Sequence, residues 1–366
     1  MSRSLIAFVL LLAGCGSGVA TVEVLVPPTA PTTTTVVADV RPSTTIGAPP
    51  LATVTLAFGG DTSFTHGLAN ADPFAGVAGL ITEADLFWIN LETAVAEEGV
   101  GTTLDKEYVF ISPPVTAELL AAAGVDGVAL ANNHAMDAGI NGLARTLDLL
   151  DAAGVAHAGA GLNRAEAYAP ALARVGSESV AVVSFSRVLP SDSWTATENR
   201  PGLASAYQPF VDESVATVSR AAQLADLVVV MVHWGIERSE CPEAYQRELA
   251  VQWAGAGADL IIGSHPHVLQ GVERIAETWV VYSTGNLAFP SAYSEDTTQT
   301  ALFWFTTTDD GTELHATPVR IVEGRPKIAS DADRATILGT LNGRSINVVF
   351  DSAGRATVAG GDSVCR

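Results

Sequence analysis

Short apolar runs recur along this chain, each stopping at a residue able to bind a metal ion or carry a proton, and this constrains its fold more than any other feature. Leu56-Ala57-Phe58 leads into Gly59-Gly60-Asp61, Leu86-Phe87-Trp88-Ile89 into Asn90-Leu91-Glu92, and Val128-Ala129-Leu130-Ala131 into Asn132-Asn133-His134. The pattern returns where Val228-Val229-Val230-Met231-Val232 ends at His233, and where Leu260-Ile261-Ile262-Gly263-Ser264 ends at His265-Pro266-His267. In an open α/β sheet ligands bind beyond the carboxyl ends of the strands, so these distant residues are expected to converge on one site.

Helix-like stretches separate the runs. Val115 to Ala123 precedes Val128, Asn141 to Ala153 precedes Val155, Val211 to Ala225 precedes Leu227, and Glu243 to Ala256 precedes Leu260. Such alternation predicts parallel strands joined by crossover helices. Gly124, Gly154 and Gly257 fall where helices should stop, at the position a left-handed cap favours. After Gly285 the pattern changes to strands without helices between them: Thr300 to Thr306, Thr312 to Ile321 and Ser345 to Phe350. This predicts a second, mainly antiparallel sheet that packs against the first or extends it. The expected fold class is α/β, a layered sandwich of two central mixed sheets flanked by helices, in one domain over residues 51–366.

The ends of the chain differ from its middle. Arg3, the apolar run Leu5 to Leu12 and Ala13-Gly14 read as an export signal over residues 1–14, too short for a permanent membrane span. Leu12-Ala13-Gly14-Cys15 also matches the bacterial lipobox, which predicts acylation of Cys15 and a lipid-anchored protein on the extracellular face of the cytoplasmic membrane. Residues 15–50 are rich in Thr, Pro and Val and suit an extended tether, at roughly 3 Å per residue where polyproline-like. If Cys15 carries lipid, Cys241 and Cys365 remain, either as a disulfide or as two separate thiols.

The 40 acidic residues against 19 basic ones, with a formal net charge of −21, argue against a nucleic-acid partner. An anionic substrate would need a local positive centre, and a bound metal is one. The inventory at the strand ends is Asp61, Glu92, Asn133, His134, His233, His265 and His267. Carboxylate, amide oxygen and imidazole without thiolate suit one or two divalent ions such as Mn, Zn or Fe. Four of the seven histidines belong to this set; His66, His157 and His315 lie outside it. Side chains at i and i+2 of an extended segment share a face, so His265 and His267 are expected to point into one pocket.

At these residues the sequence resembles the poly-gamma-glutamate capsule-synthesis (CapA-type) family, a branch of the calcineurin-like metallophosphatase superfamily. The resemblance runs from Leu51 to about Gln299. It rests on Gly60-Asp61, Asn90-Leu91-Glu92, Ala131-Asn132-Asn133-His134 with Asp137-Ala138-Gly139, and His233-Trp234-Gly235-Ile236-Glu237. Gly257-Ala258-Asp259, Gly263-Ser264-His265-Pro266-His267 and Tyr282-Ser283-Thr284-Gly285-Asn286 complete the set. The resemblance implies Asp61 and His267 on a first metal, Glu92 bridging, and Asn133, His233 and His265 on a second. His134 would then protonate a leaving group or stabilise charge on substrate. Asp137 either orients His134 or caps the helix that follows. Lys106 and Glu237 match family positions and are expected at the substrate. Two departures stand out: Ser63 occupies the place of a superfamily histidine, for which His66 is the available substitute, and Glu92 replaces an aspartate.

The function implied is that of a lipid-tethered extracellular metallohydrolase-like protein. It would act in synthesis, export or trimming of poly-gamma-glutamate or a related anionic surface polymer, at an amide or a phosphoester. The alternatives are a non-catalytic polymer-binding assembly subunit of a membrane capsule synthase and a phosphodiesterase.

Overall fold

The structure, a computed structural model, describes residues 53–101, 105–290, 294–308, 311–360 and 363–365. The signal, Cys15 and the tether over residues 15–50 lie outside the described residues. Two mixed sheets pack face to face. The first runs, edge to edge, through Arg325–Ile328, Gly311–Val322, Gln299–Thr308, Thr55–Thr62, Leu86–Leu91, Gly127–Ala129 and Ala156–Ala158. The second runs through Val272–Ile275, Thr278–Val281, Leu260–Ser264, Leu227–His233, Glu178–Ser186 and Ala171–Val175.

The period-2 alternation of each strand divides its side chains between two cores. Leu56, Phe58, Leu86 and Trp88 of the first sheet meet Val180, Val182, Val229, Met231 and Ile262 of the second. Their neighbours Ala57, Phe87, Ile89 and Val128 face outward, under Leu120 of the helix Val115–Ala122 and Leu143, Leu147 and Leu150 of the helix Gly139–Ala153. On the far side, Val183, Phe185, Val228, Val230 and Ile261 lie under Val218 of the helix Val211–Ala221 and Trp253 of the helix Ala244–Gly255. Helix, sheet, sheet, helix is therefore the layer order, and the strands read as continuous apolar runs because both of their faces are covered.

Aspartates just before parallel strands fasten the amino ends of the neighbouring strands. Asp85 accepts from Thr55 N–H, Asp126 from Phe87 N–H, Asp226 from Ser179 N–H and Asp259 from Val228 N–H. The opposite, carboxyl ends are left to the site.

Of the two arrangements expected for the C-terminal strands, extension of the first sheet is the one observed, and one count needs correction. The antiparallel strands Gln299–Thr308, Gly311–Val322 and Arg325–Ile328 extend the first sheet, while the second sheet is built from residues 171–281. The correction is a helix, Asp331–Arg344, that interrupts the strands, and Ile337, Leu338 and Leu341 on it close one end of the inter-sheet core. Gly339, Gly343, Thr336 and Thr340 give that segment weak helix propensity, so packing and the Ser330 cap, which accepts from Asp333 N–H, decide its state. Gly124, Gly154 and Gly257 do adopt positive φ at 84°, 73° and 104°.

Candidate metal centre

Asp61 owes its place to an irregular strand. The register between Thr55–Thr62 and Leu86–Leu91 runs Phe58 to Trp88 and then Asp61 to Asn90, so one extra residue is accommodated at Gly59-Gly60. A bulge of this kind re-aims the side chains that follow it. Glycine is required there, since a Cβ on Gly60 would lie 1.9 Å from the Gly285 carbonyl oxygen. The bulge sets Asp61 beside Asn90, whose amide Nδ2–H donates to Asp61 Oδ1 at 2.7 Å. The backbone N–H of His265 donates to Asp61 Oδ2 at 3.2 Å.

Glu92, at the end of the adjacent strand, is fully buried, and neither carboxylate oxygen has a hydrogen-bond partner. Ligand-type atoms converge around it in two triads, Asp61 with Glu92 and His267, and Glu92 with His233 and His265. Within each triad the atoms lie within 4.8 Å of one another. His233 Nε2 stands 3.6 Å and His267 Nε2 3.7 Å from Glu92 Oε1. The half-buried Asn133 completes the second group, its Oδ1 2.7 Å from His233 Nε2. Burial and then the adjacent Asp61 carboxylate push Glu92 well above the usual carboxylate range. A buried carboxylate stripped of partners is costly unless a proton or a cation compensates it, so this donor set fits a divalent cation.

The paired histidines reach the site by a different geometry from the one expected. His265 and His267 both have left-handed backbones, at φ 96° and 58°, rather than an extended one. The turn around Pro266 points both rings inward, and non-glycine residues in this region are held there only by surrounding structure. His267 Nδ1–H is within reach of Asn286 Oδ1 at 2.8 Å and Asp61 Oδ2 at 3.1 Å, which leaves Nε2 facing Glu92. Burial opposes charge on His267, but Asp61 and Asn286 outweigh it and hold the group above its ordinary value. Asp61 is held below its own ordinary value, because His267, Asn90 and the His265 N–H together overcome the effect of burial. Burial and the neighbouring imidazoles push His233 well down and His265 down to about 3.

His134 lies on the open side of Glu92, with Nε2 4.0 Å from Oε1. Its Nδ1 contacts Asp137 Oδ2 at 2.7 Å, and its ring stacks on Phe110 at 4.2 Å between centroids. Asp137 also accepts from Phe110 N–H at 2.6 Å and pairs with Lys106. Asp137 is thus not the helix cap; the cap residue is Ala138, with no side-chain hydrogen bond. Lys106 donates to the Asn133 carbonyl at 2.6 Å and sits over the Trp194 ring, so its charge is held beside His134.

Ser63 is buried beside Thr65, and His66, its possible substitute, is exposed and belongs to none of the triads among the described residues. Glu237 is exposed and lies near His265 and His267. Roles for Asn90, Ser264 and Asn286 were not apparent from sequence. Asn90 links Asp61 to His233, Ser264 Oγ contacts His233 Nδ1 at 3.0 Å, and Asn286 orients His267. Their signal was position alone, each sitting within a strand-end motif. Cys241 and Cys365 form a disulfide.

The family model described as bacterial capsule synthesis protein PGA_cap matches residues 55–291. The chain is 31% identical over 239 residues to the PGA biosynthesis protein CapA of Bacillus subtilis, covering 65% of this chain and 62% of that protein. It is 33% identical over 230 residues to the capsule biosynthesis protein CapA of Bacillus anthracis, covering 62% and 56%. The match therefore spans less than two thirds of either relative's length. A solved phosphatase from Mycoplasma pneumoniae overlaps 74% of this chain and 94% of its own at 13% identity and a TM-score of 0.43.

Proposed function

The chain belongs to the bacterial capsule synthesis protein family PGA_cap, and from that premise we propose that it acts in synthesis, export or trimming of poly-gamma-glutamate or a related anionic polymer. It does so as a metal-dependent hydrolase of an amide or phosphoester, tethered through acylated Cys15 to the extracellular face of the membrane. The observation that carries the reading is Glu92, buried with both oxygens unpartnered and shared by two histidine-containing triads. The names of the Bacillus relatives support the polymer.

Asp61, Glu92 and His267 would hold one ion, and Glu92, Asn133, His233 and His265 a second. Bound there, divalent ions supply Lewis acidity, polarising the scissile group and activating water. They also supply the positive centre that a chain of net charge −21 needs to receive a polyanion. The chain's own residues do the rest. Asn90 and Ser264 at His233, and Asn286 at His267, hold Nδ1 of each ring so that Nε2 faces Glu92. His134 holds or moves a proton at Nε2, and Asp137 orients that ring. Lys106 offers positive charge at the same edge, where a glutamate carboxylate of the polymer would lie.

Full-length protein loaded with Mn²⁺ or Zn²⁺ and assayed in parallel on poly-gamma-glutamate oligomers and a chromogenic phosphodiester tests the reading. Metal-dependent cleavage of either supports it and identifies the bond. One observation favours a second reading, a polymer-binding assembly subunit of a membrane synthase: Ser63 stands where the superfamily has a histidine, and its hydroxyl is hydrogen-bonded to Thr65. Binding of the polymer without cleavage of either compound would select that subunit.

A further inference from the structure

The loop after His233 is fastened to the paired-histidine turn, to the segment that follows it and to the C-terminal part of the chain. Arg238 N–H donates to the carbonyl of Pro266, the residue between His265 and His267, at 2.8 Å. Gln270 Nε2 donates to the carbonyls of Ser239 and Cys241 at 2.9 and 3.0 Å. Glu240 pairs with Arg344 at 2.9 Å, and Cys241 is joined to Cys365, 124 residues later in sequence. At the crest of this loop is Glu237, exposed, with no hydrogen bond or ion pair tying its carboxylate elsewhere among the described residues.

Glu237 nevertheless faces the centre. One of its oxygens and a ring nitrogen each of His265 and His267 lie within 4.8 Å of one another. His265 is buried, and its Nδ1 has no partner. Ser63, which stands where the resemblance implies a histidine, is hydrogen-bonded to Thr65, while Glu237 brings a carboxylate from another element to the same edge. Resting on the metal-centre reading above, we propose that Glu237 is a ligand of that centre, an outer carboxylate on the ion that Asp61, Glu92 and His267 would hold, at the edge where His265 of the second ion also comes within reach. The Cys241–Cys365 disulfide holds its loop in the ligating position. This replaces the substrate-contact role expected from sequence with a metal-retaining one on the solvent side.

The test is calorimetric titration of metal-stripped full-length protein with Mn²⁺. Glu237→Ala and Glu237→Gln should each weaken one ion by roughly 10–100-fold, while the melting temperature of the metal-free protein is unchanged because the side chain is exposed. Cys241→Ser with Cys365→Ser should weaken the same ion in the wild-type background and cause no further loss in Glu237→Ala. If that pair fails to fold, Gln270→Ala, which frees the same loop carbonyls, takes its place in the comparison. Wild-type affinity in Glu237→Ala overturns the ligand role. Equal losses in both backgrounds overturn the link to the disulfide. A wild type that binds no Mn²⁺ instead brings down the metal-centre reading itself, so the two failures are distinct.

Discussion

Asp137 Oδ2 stands 2.7 Å and Lys106 Nζ 3.1 Å from His134 Nδ1, while Nε2 is the nitrogen turned toward Glu92. Burial first, opposed by Asp137 and reinforced by the charges of Lys106 and His267, leaves His134 below its ordinary value. Burial thus favours the neutral ring, and an incoming anion would favour its protonation.

His134 contacts substrate in this account and binds no metal. His134→Ala should keep its metal content and lower turnover by roughly 10²–10⁴-fold. Asn133→Ala should lose metal and turnover together. Metal analysis and rates on the same samples decide, and parallel loss of both in His134→Ala would contradict the assignment.

Acid should destabilise the metal-free protein. The depressed values of His233 and His265 mean that the unfolded chain takes up protons the folded one refuses, so the stability these groups contribute is complete above the ordinary histidine value of 6.5. It is lost as pH falls toward about 3, where His265 finally titrates. Glu92, raised by burial, has the opposite sign above its ordinary 4.5 and offsets part of the histidine effect. His267, raised, opposes the other histidines near its ordinary 6.5 and adds little well below it, where it is protonated both folded and unfolded. Between roughly pH 4.5 and 5.5 the two depressed histidines together outweigh Glu92, so stability falls as pH falls there. Denaturant melts across that window check it, and a flat profile would rule it out.

The Cys241–Cys365 disulfide spans 124 residues. Replacing both cysteines by serine should lower unfolding free energy by about 2–4 kcal/mol. An unchanged denaturation midpoint in the absence of metal would show that the bond adds no stability.

Acylation at Cys15 predicts a mature chain that partitions into detergent, and a Cys15→Ser protein that remains unlipidated or mislocalised. Mass spectrometry of the mature protein showing residues 1–14 intact and unmodified would exclude the tether.

The doubly buried strands were legible because nothing but an apolar run survives between two covered faces, and Asp61, Glu92 and His233 were legible as the residues ending such runs. The helix Asp331–Arg344 was not, since its glycines and threonines carry little propensity and its state is set by contacts with the inter-sheet core. The turn that aims His265 and His267 was likewise hidden, because positive φ at two histidines follows from tertiary contact and not from local preference. Asn90, Ser264 and Asn286 carry no ligand chemistry that marks them before the fold places them against the imidazoles.

The central claim is that Glu92 is shared between two ions, and metal stoichiometry tests it most directly. Wild-type protein loaded with Mn²⁺ or Zn²⁺ and desalted should retain two ions per chain, His265→Ala should lose mainly one, and Glu92→Ala should lose both. A wild type that retains none, or a Glu92→Ala protein that keeps the wild-type complement, would contradict the account.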